Sequence, residues 1–546
     1  MVKKHEKQQR KKFKNRIRAD IIILGCSLPG IVAAHNLKKK FGNTMDIVVL
    51  DLASTMRTST SKLGVAFAEE DLDDKCMMME STASLVEIPT DIENVARYYI
   101  AKTAREFNMP LPGSIVHPAA FKTSLKKMFQ YRNGAAVECS QNFHDFGYLN
   151  FVERFELEQY QNLLDHSAQN LFHAVNTDAE TKKLLYYDQT TMEDHMCKAL
   201  LLPTSREIMR TIIKLVCGTT ANNVSVLFYL HQCHRTNSCR NHVDGDNTRI
   251  REKVVSYCRK RLANKLQQSV ADITLTTKAI REIRTYADEQ VILEPVIGET
   301  DYICTLLAMA VRPDQLRDIQ LETQLLSEQQ AEITKRMIQG NAKKFLVQYE
   351  ESFWRRDGYS GDILSVRGPI IWAMEQPNLA ATGKVDKYAT LVGYMMPRDD
   401  VVDSREAVLE QLVKLFGEEA ATPTEYIETD FGDIFVPRCG DYVALRGLIM
   451  ESSPKFLEWG ALDIFADGDL GAAIEAGNTA YLHVLSCLRP QAMTYDDMAL
   501  GDFTARFDST YAGMSASVNI LSTTRILMCG IVLVIGVQVL RSILQK

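Results

Sequence analysis

Short, wholly apolar runs at two points near the start of the chain enclose a stretch with helical spacing, and this pattern predicts the first three elements. Ile21 to Leu24 and Ile47 to Leu50 have the composition of parallel strands buried on both faces. The segment between them opens with a tight turn and enters a helix near Pro29, where a proline is tolerated because its missing N–H has no intrahelical partner. Strand, turn, helix and a second strand ending on an acid form the unit that cradles a dinucleotide. Gly25 and Gly30 hold the outer positions of a G-x-G-x-x-G pattern, Ser27 takes the middle one, and Asp51 is placed to accept hydrogen bonds from a ribose. The middle glycine normally lets the backbone approach the pyrophosphate, so the Cβ and hydroxyl of Ser27 are expected to obstruct it. A Rossmann-type fold is expected here, either with a bound dinucleotide or with an altered pocket.

Helical period dominates the middle of the chain, in Ser205 to Cys217, Asn223 to Cys233 and Leu316 to Ile338. Asn237 to Asn247 is polar and reads as a loop. From Lys344 the pattern changes to strands, in KFLVQY, DILSV and ATLVGYMM. A helix resumes over REAVLEQLVKLFG, with Ser404 as its cap and Gly417 as its end. Gly471 to Leu485 is rich in alanine and glycine and is expected to pack closely on its neighbours.

The last apolar run, Ile526 to Leu540, lies between Arg525 and Arg541. A membrane-spanning helix needs about 20 residues, and Ile526 to Leu544 suffices if Arg541 and Lys546 snorkel. The alternative, a C-terminal core helix, would have to be buried all round. The reading is a tail-anchored protein with its bulk in the cytosol.

Composition narrows the class. Charged residues at 24% and hydrophobic ones at 46% are those of a globular protein, and a length of 546 residues implies more than one core. The first eighteen residues are dense in lysine and arginine and lack a signal-type apolar core. They read as a solubilising arm rather than a contact for anionic lipid or nucleic acid. With a net charge of −6, no nucleic-acid partner is expected. Twelve cysteines without a paired framework fit a reducing compartment. Cys233, His234, Cys239 and His242 invite a zinc reading, but their spacing fits no common ligand pairing, and no metal site is expected.

The blocks KKFLVQYEESFWRRDGYSGDI, DQTTMEDHM, TTANNVSVLFYLHQC, REAVLEQLVKLFGEEA followed by a Tyr-x-Glu, and GAAIEAGNTAYLHVL stand in an order that resembles the flavin monoamine oxidase family. That resemblance implies an α/β fold with a Rossmann-type FAD-binding lobe interleaved with an α+β substrate lobe, plus a C-terminal transmembrane helix. FAD-lobe segments are expected over 19–95, 241–312 and 439–490, substrate-lobe segments over 96–240 and 313–438, and a linker over 491–523 before the anchor at 524–546. FAD is the implied cofactor, a small amine the implied substrate, and a lipid bilayer and a second copy of the chain the implied partners. The mitochondrial outer membrane is favoured over the endoplasmic reticulum. Lys344 falls on the lysine that holds a water against the flavin ring, with Lys343 one residue out of register.

Other positions depart from the family pattern. LASTMRTSTSKLG replaces a Gly-Gly-Arg turn after Asp51 and leaves Arg57 as the candidate cation. A Gly-Thr-Glu turn that approaches the flavin becomes FLEWG, with Glu458 in place of the glycine. Cys439 in FVPRCGDY is the candidate for a thioether to the flavin. The two substrate-flanking tyrosines align with Gly440 and Gly468, so Tyr442 and Phe465 are the candidate substitutes. Two functions follow from the resemblance: a non-catalytic binding or scaffold protein with weakened FAD binding, or an active FAD-dependent amine oxidase that releases aldehyde, ammonia and peroxide. A membrane-anchored NAD-dependent reductase is disfavoured because no nicotinamide site is visible. Residues 517–546 fused to a fluorescent protein are expected to label mitochondria in cells; a reticular pattern would overturn the mitochondrial reading.

Overall fold

The computed structural model describes residues 15–52, 102–108, 125–139, 142–173, 178–235, 238–243, 262–277, 279–286, 290–298, 300–311, 313–322, 328–376, 389–396, 403–430, 435–445, 457–458, 470–495 and 497. Residues 1–14 of the basic arm, Arg57, Phe465, Gly468 and the whole apolar tail lie outside them; residues 15–18, read from sequence as the end of that arm, instead open a strand, because they pair with Thr300 to Ile303. Among the described residues no helix is long and apolar enough to cross a membrane.

Strand β1 (Asn15–Leu24) lies inside the first sheet, between β2 (Ile47–Leu52) and β8 (Thr300–Met309), and runs parallel to both. Beyond β2 comes β5 (Thr274–Thr277); beyond β8 come β7 (Gln290–Pro295), β6 (Ile280–Tyr286) and β9 (Gln320–Leu321). The apolar runs predicted from sequence are strands covered on both faces. Ile21 and Ile23 pack with Ile31, Leu37 and Val484 on one side, and Ile22 and Leu24 pack with Leu50, Leu307 and Phe435 on the other. A parallel sheet sheathed in this way accounts for runs without polar alternation.

Helix α1 (Leu28–Phe41) covers one face of this sheet, with α9 (Leu470–Leu488) against it. A Cβ at Gly477 of α9 would sit 2.6 Å from both the Pro29 carbonyl oxygen and the Val32 Cβ, so the two helices meet at a spacing only glycine allows. The segment after α9 is tied back to α1: Asp497 accepts from Lys40 Nζ at 2.5 Å, from Tyr481 Oη at 2.7 Å and from Thr494 N at 2.8 Å. Burial works to raise the Asp497 carboxyl, yet Lys40 and the other donors hold it below the usual carboxylate range.

A second sheet runs in the order β15 (Glu425–Asp430), β11 (Lys343–Tyr349), β14 (Ala389–Met395), β13 (Ile370–Gln376), β12 (Tyr359–Ser365), β3 (Lys126–Gln130), β4 (Ala136–Cys139). One core joins Phe345, Trp354, Ile363 and Leu391 of this region to Val408 and Leu412 of α8 (Ser404–Phe416). A further core joins Phe129, Leu364 and Trp372 to the helical region. That region comprises α2 (Phe151–His173), α3 (Asp178–Asp188), α4 (Met192–Ala199), α5 (Pro203–Cys217) and α6 (Val226–Arg235). Gln411 of α8 knits the sheet from within, since its Nε2 donates to Gln130 Oε1 at 2.8 Å and its Oε1 accepts from Ile370 N at 2.9 Å. Both polar ends of a buried side chain are thereby used, as a dry interior requires.

Three local expectations change. Leu316 to Ile338 is not one helix: it carries β9, the helix α7 (Glu328–Arg336) and the start of β10 (Ile338–Gln339). Pairing of β9 with β6, and of β10 with β16 (Phe435–Val436), overrides the local helical period. Asn223 closes a short 3-10 turn, so α6 begins only at Val226. The cap of α8 is Asp403, whose carboxylate accepts from Arg405 N and Glu406 N; Ser404 is the first helical residue and donates to Glu428 instead. The strand Ile370–Gln376 was not expected at all, and no polar alternation marks it.

Gly477→Val is expected to lower stability by about 1–3 kcal/mol through overpacking. The check is a urea midpoint; an unchanged value would mean that α1 and α9 are not in this contact.

Candidate functional site

The turn between β1 and α1 is held against the carboxyl ends of three parallel strands, the place where open α/β sheets bind ligands. Gly25 has φ +102° and donates its N–H to Leu50 O at 2.9 Å; a Cβ there would overlap the Ala310 carbonyl oxygen. A Cβ at Gly30 would lie 2.5 Å from the Ala310 Cβ. Ala310 itself is fixed by donation from its N to Leu24 O at 2.8 Å. Both outer glycines of the fingerprint are therefore demanded by the approach of the turn to the end of β8.

Ser27 precedes α1 in an extended conformation and caps none of its amides with its side chain. Its Oγ is buried and finds no hydrogen-bond partner among the described residues. Next to it, Cys26 lies within the electrostatic reach of Asp51, a carboxylate only 8% exposed on β2. Burial first and the Asp51 charge second push the Cys26 thiol up to about 12 from an ordinary 9.0. Reading the sequence identified Asp51 as a ribose acceptor and passed over Cys26, since an x position of the pattern carries no signal of its own.

Strand β11 places the two candidate lysines on opposite faces, because side chains alternate along a strand. Lys343 Nζ is paired with Glu428 at 2.9 Å. Lys344 is half-buried, and its Nζ lies 5.9 Å from the centroid of the Tyr394 ring, which stacks on Trp372. The backbone at Glu458 forms β17 (Leu457–Glu458) with its neighbour and runs parallel to β8 at Leu307 and Ala308.

Cys439 and Tyr442 are brought together by Asp188 at the end of α3. Cys439 Sγ donates to the Asp188 carbonyl oxygen at 3.1 Å, and Tyr442 N and Val443 N donate to the Asp188 carboxylate at 3.2 and 3.0 Å. Burial raises the Asp188 carboxyl, and these amides oppose the rise. Burial, followed by the charge of Asp188, raises the Cys439 thiol. Tyr442 is fully buried, edge-on to Phe228 at 5.6 Å and tilted on His231 at 5.8 Å. Asp188 lay inside the DQTTMEDHM block, but its capping role could not be read there because the amides it accepts come from more than 250 positions later.

Residues 224–445 match the model of the flavin containing amine oxidoreductases. A probable flavin-containing monoamine oxidase A of Dictyostelium discoideum is 22% identical over 44% of this chain and 53% of its own length. The fold is similar to that of a putrescine oxidase redesigned in its cofactor binding, with a TM-score of 0.65 at 15% identity over 86% of this chain and 99% of the other. It is also similar to the cyclohexylamine oxidase of Brevibacterium oxydans, with a TM-score of 0.61 at 16% identity over 85% and 99%. The chain is a divergent relative of the flavin-containing amine oxidases with their mixed α/β fold. Its sequence match spans about half the length of the curated relative.

The raised Cys26 thiol contributes stability that is complete below pH 9 and is lost as pH rises toward about 12. Alkylation of Cys26 is therefore expected to be negligible at pH 8.5, where the exposed Cys487 reacts readily. Asp51→Asn is expected to speed Cys26 alkylation only in part, since burial is the larger cause. Peptide mapping after timed iodoacetamide treatment reads both; equal rates for Cys26 and Cys487 in the parent protein would contradict this geometry.

Proposed function

We propose that this amine-oxidase-like protein keeps the flavoprotein fold for binding or scaffolding at a membrane, and holds FAD weakly or not at all. One observation carries the reading. Gly25 and Gly30, the two fingerprint glycines that packing against Ala310 demands, are kept, while the middle glycine, which serves only the approach of a pyrophosphate, has become Ser27. The residues at this turn do not fit FAD as the family's do. Full burial of Tyr442 supports the same reading, since a ring enclosed by Phe228 and His231 is not a wall for a substrate.

The C-terminal apolar run is the proposed anchor, with the mitochondrial outer membrane as its destination. A second reading, an active FAD-dependent amine oxidase, is favoured by Lys344. Its Nζ lies over the Tyr394 ring, which in turn stacks on Trp372. In that case FAD would take the hydride equivalent from the carbon next to the amine nitrogen. Lys344 would hold a water, and Cys439 would be the candidate tether.

The visible absorption spectrum of the purified full chain, before and after incubation with FAD and gel filtration, separates the two. The expected result is a colourless protein that retains no added flavin, with Ser27→Gly increasing retention. Stoichiometric flavin together with amine-dependent peroxide release that Lys344→Met abolishes would establish the oxidase instead. A flavin that survives denaturation would point to Cys439.

A further inference from the structure

Away from the dinucleotide turn, three elements of the helical region converge on a small buried group of metal-binding side chains. Asp165 comes from α2, Cys233 from α6, and Cys239 from the 3-10 turn Cys239–His242. One carboxylate oxygen of Asp165 and the two sulfurs all lie within 4.8 Å of one another. Cys233 and Cys239 are each 1% exposed, and both are thiols without a disulfide. The His234 and His242 nitrogens suggested by the sequence do not complete this group, and a carboxylate from 68 positions before Cys233 does.

The carboxylate is oriented from behind, as metal-bound carboxylates are. Its Oδ1 accepts from Cys239 N at 2.8 Å and its Oδ2 from Ser238 Oγ at 2.6 Å. Each oxygen keeps a second lone pair. One turn earlier on α2, Gln161 is 1% exposed, and its Oε1 finds no hydrogen-bond donor among the described residues. Its main-chain oxygen lies 3.6 Å from Cys239 Sγ. A carboxylate and two thiols in contact, with a buried acceptor that lacks a donor one helical turn away on α2, make a group of electron-pair donors that a cation would satisfy.

We propose that Cys233, Cys239 and Asp165 bind a zinc ion, with an oxygen of Gln161 as the fourth ligand. Zinc takes four ligands in a tetrahedron, with sulfur at about 2.3 Å and oxygen at about 2.0–2.2 Å, so neighbouring ligand atoms stand about 3.3–3.8 Å apart. The observed separations, all within 4.8 Å, close to that spacing with small side-chain movements. On binding, each S–H proton leaves to solvent and each sulfur gives its electron pair to the ion. No oxidation occurs. The ion would staple α2 to α6 and to the turn that follows it, a structural role independent of FAD.

The test uses the full chain, purified under reducing conditions, stripped with chelator and titrated with Co2+ as a spectroscopic stand-in for zinc. The expected result is one equivalent bound, with a thiolate-to-cobalt charge-transfer band that zinc displaces. Cys233→Ser and Cys239→Ser should each weaken the band and together abolish it, and Asp165→Asn should weaken cobalt affinity by about tenfold or more. The parent protein's spectrum decides even where a variant does not fold. A reduced, folded parent chain that shows no charge-transfer band overturns the proposal, as does a band undiminished in both single variants.

Discussion

The approach of the β1–α1 turn to the end of β8 is the constraint on which the rest of the first lobe depends. β1 pairs with β8 along nearly its whole length, and the chain must then reverse into α1 with no room between the turn and Ala310. Only a residue without a side chain, in a left-handed conformation, fits at Gly25. Only a residue without a Cβ fits at Gly30. With the turn fixed, α1 lies flat on the sheet, and Gly477 lets α9 close over it at the same short range. The covering of the parallel strands follows from these contacts.

That constraint separates two demands that a dinucleotide fingerprint normally presents together. Packing asks for the first and third glycines, while the ligand asks for the second. In this chain the two glycines that packing asks for are present, and Ser27 stands at the position the ligand asks for. The buried, unpartnered Ser27 hydroxyl lies at the point where the two demands diverge.

The helical region shows the same economy with polar groups. Asp188 satisfies the start of the segment that carries Tyr442, and Asp165 satisfies the start of the turn that carries Cys239. Each carboxylate joins elements distant in sequence and substitutes for solvent that burial has removed. Similar logic applies to Gln411 in the second sheet, where one side chain completes a strand edge and a neighbouring glutamine at once.

Much of the architecture was legible along the chain because local patterns caused it. Runs buried on both faces revealed β1 and β2, proline and glycine marked the ends of α1 and α8, and small residues announced the close packing of α9. The order of the family-like blocks carried the fold. What the tertiary structure alone decided rests on partners far apart in sequence. Strand pairing broke the apparent helix over Leu316 to Ile338. Glu428 drew Lys343 into an ion pair across the β11–β15 edge. Asp165, rather than a histidine, came to stand beside Cys233 and Cys239. A one-dimensional pattern records which face of an element is buried, but the identity of what meets that face is set only when distant segments share a core.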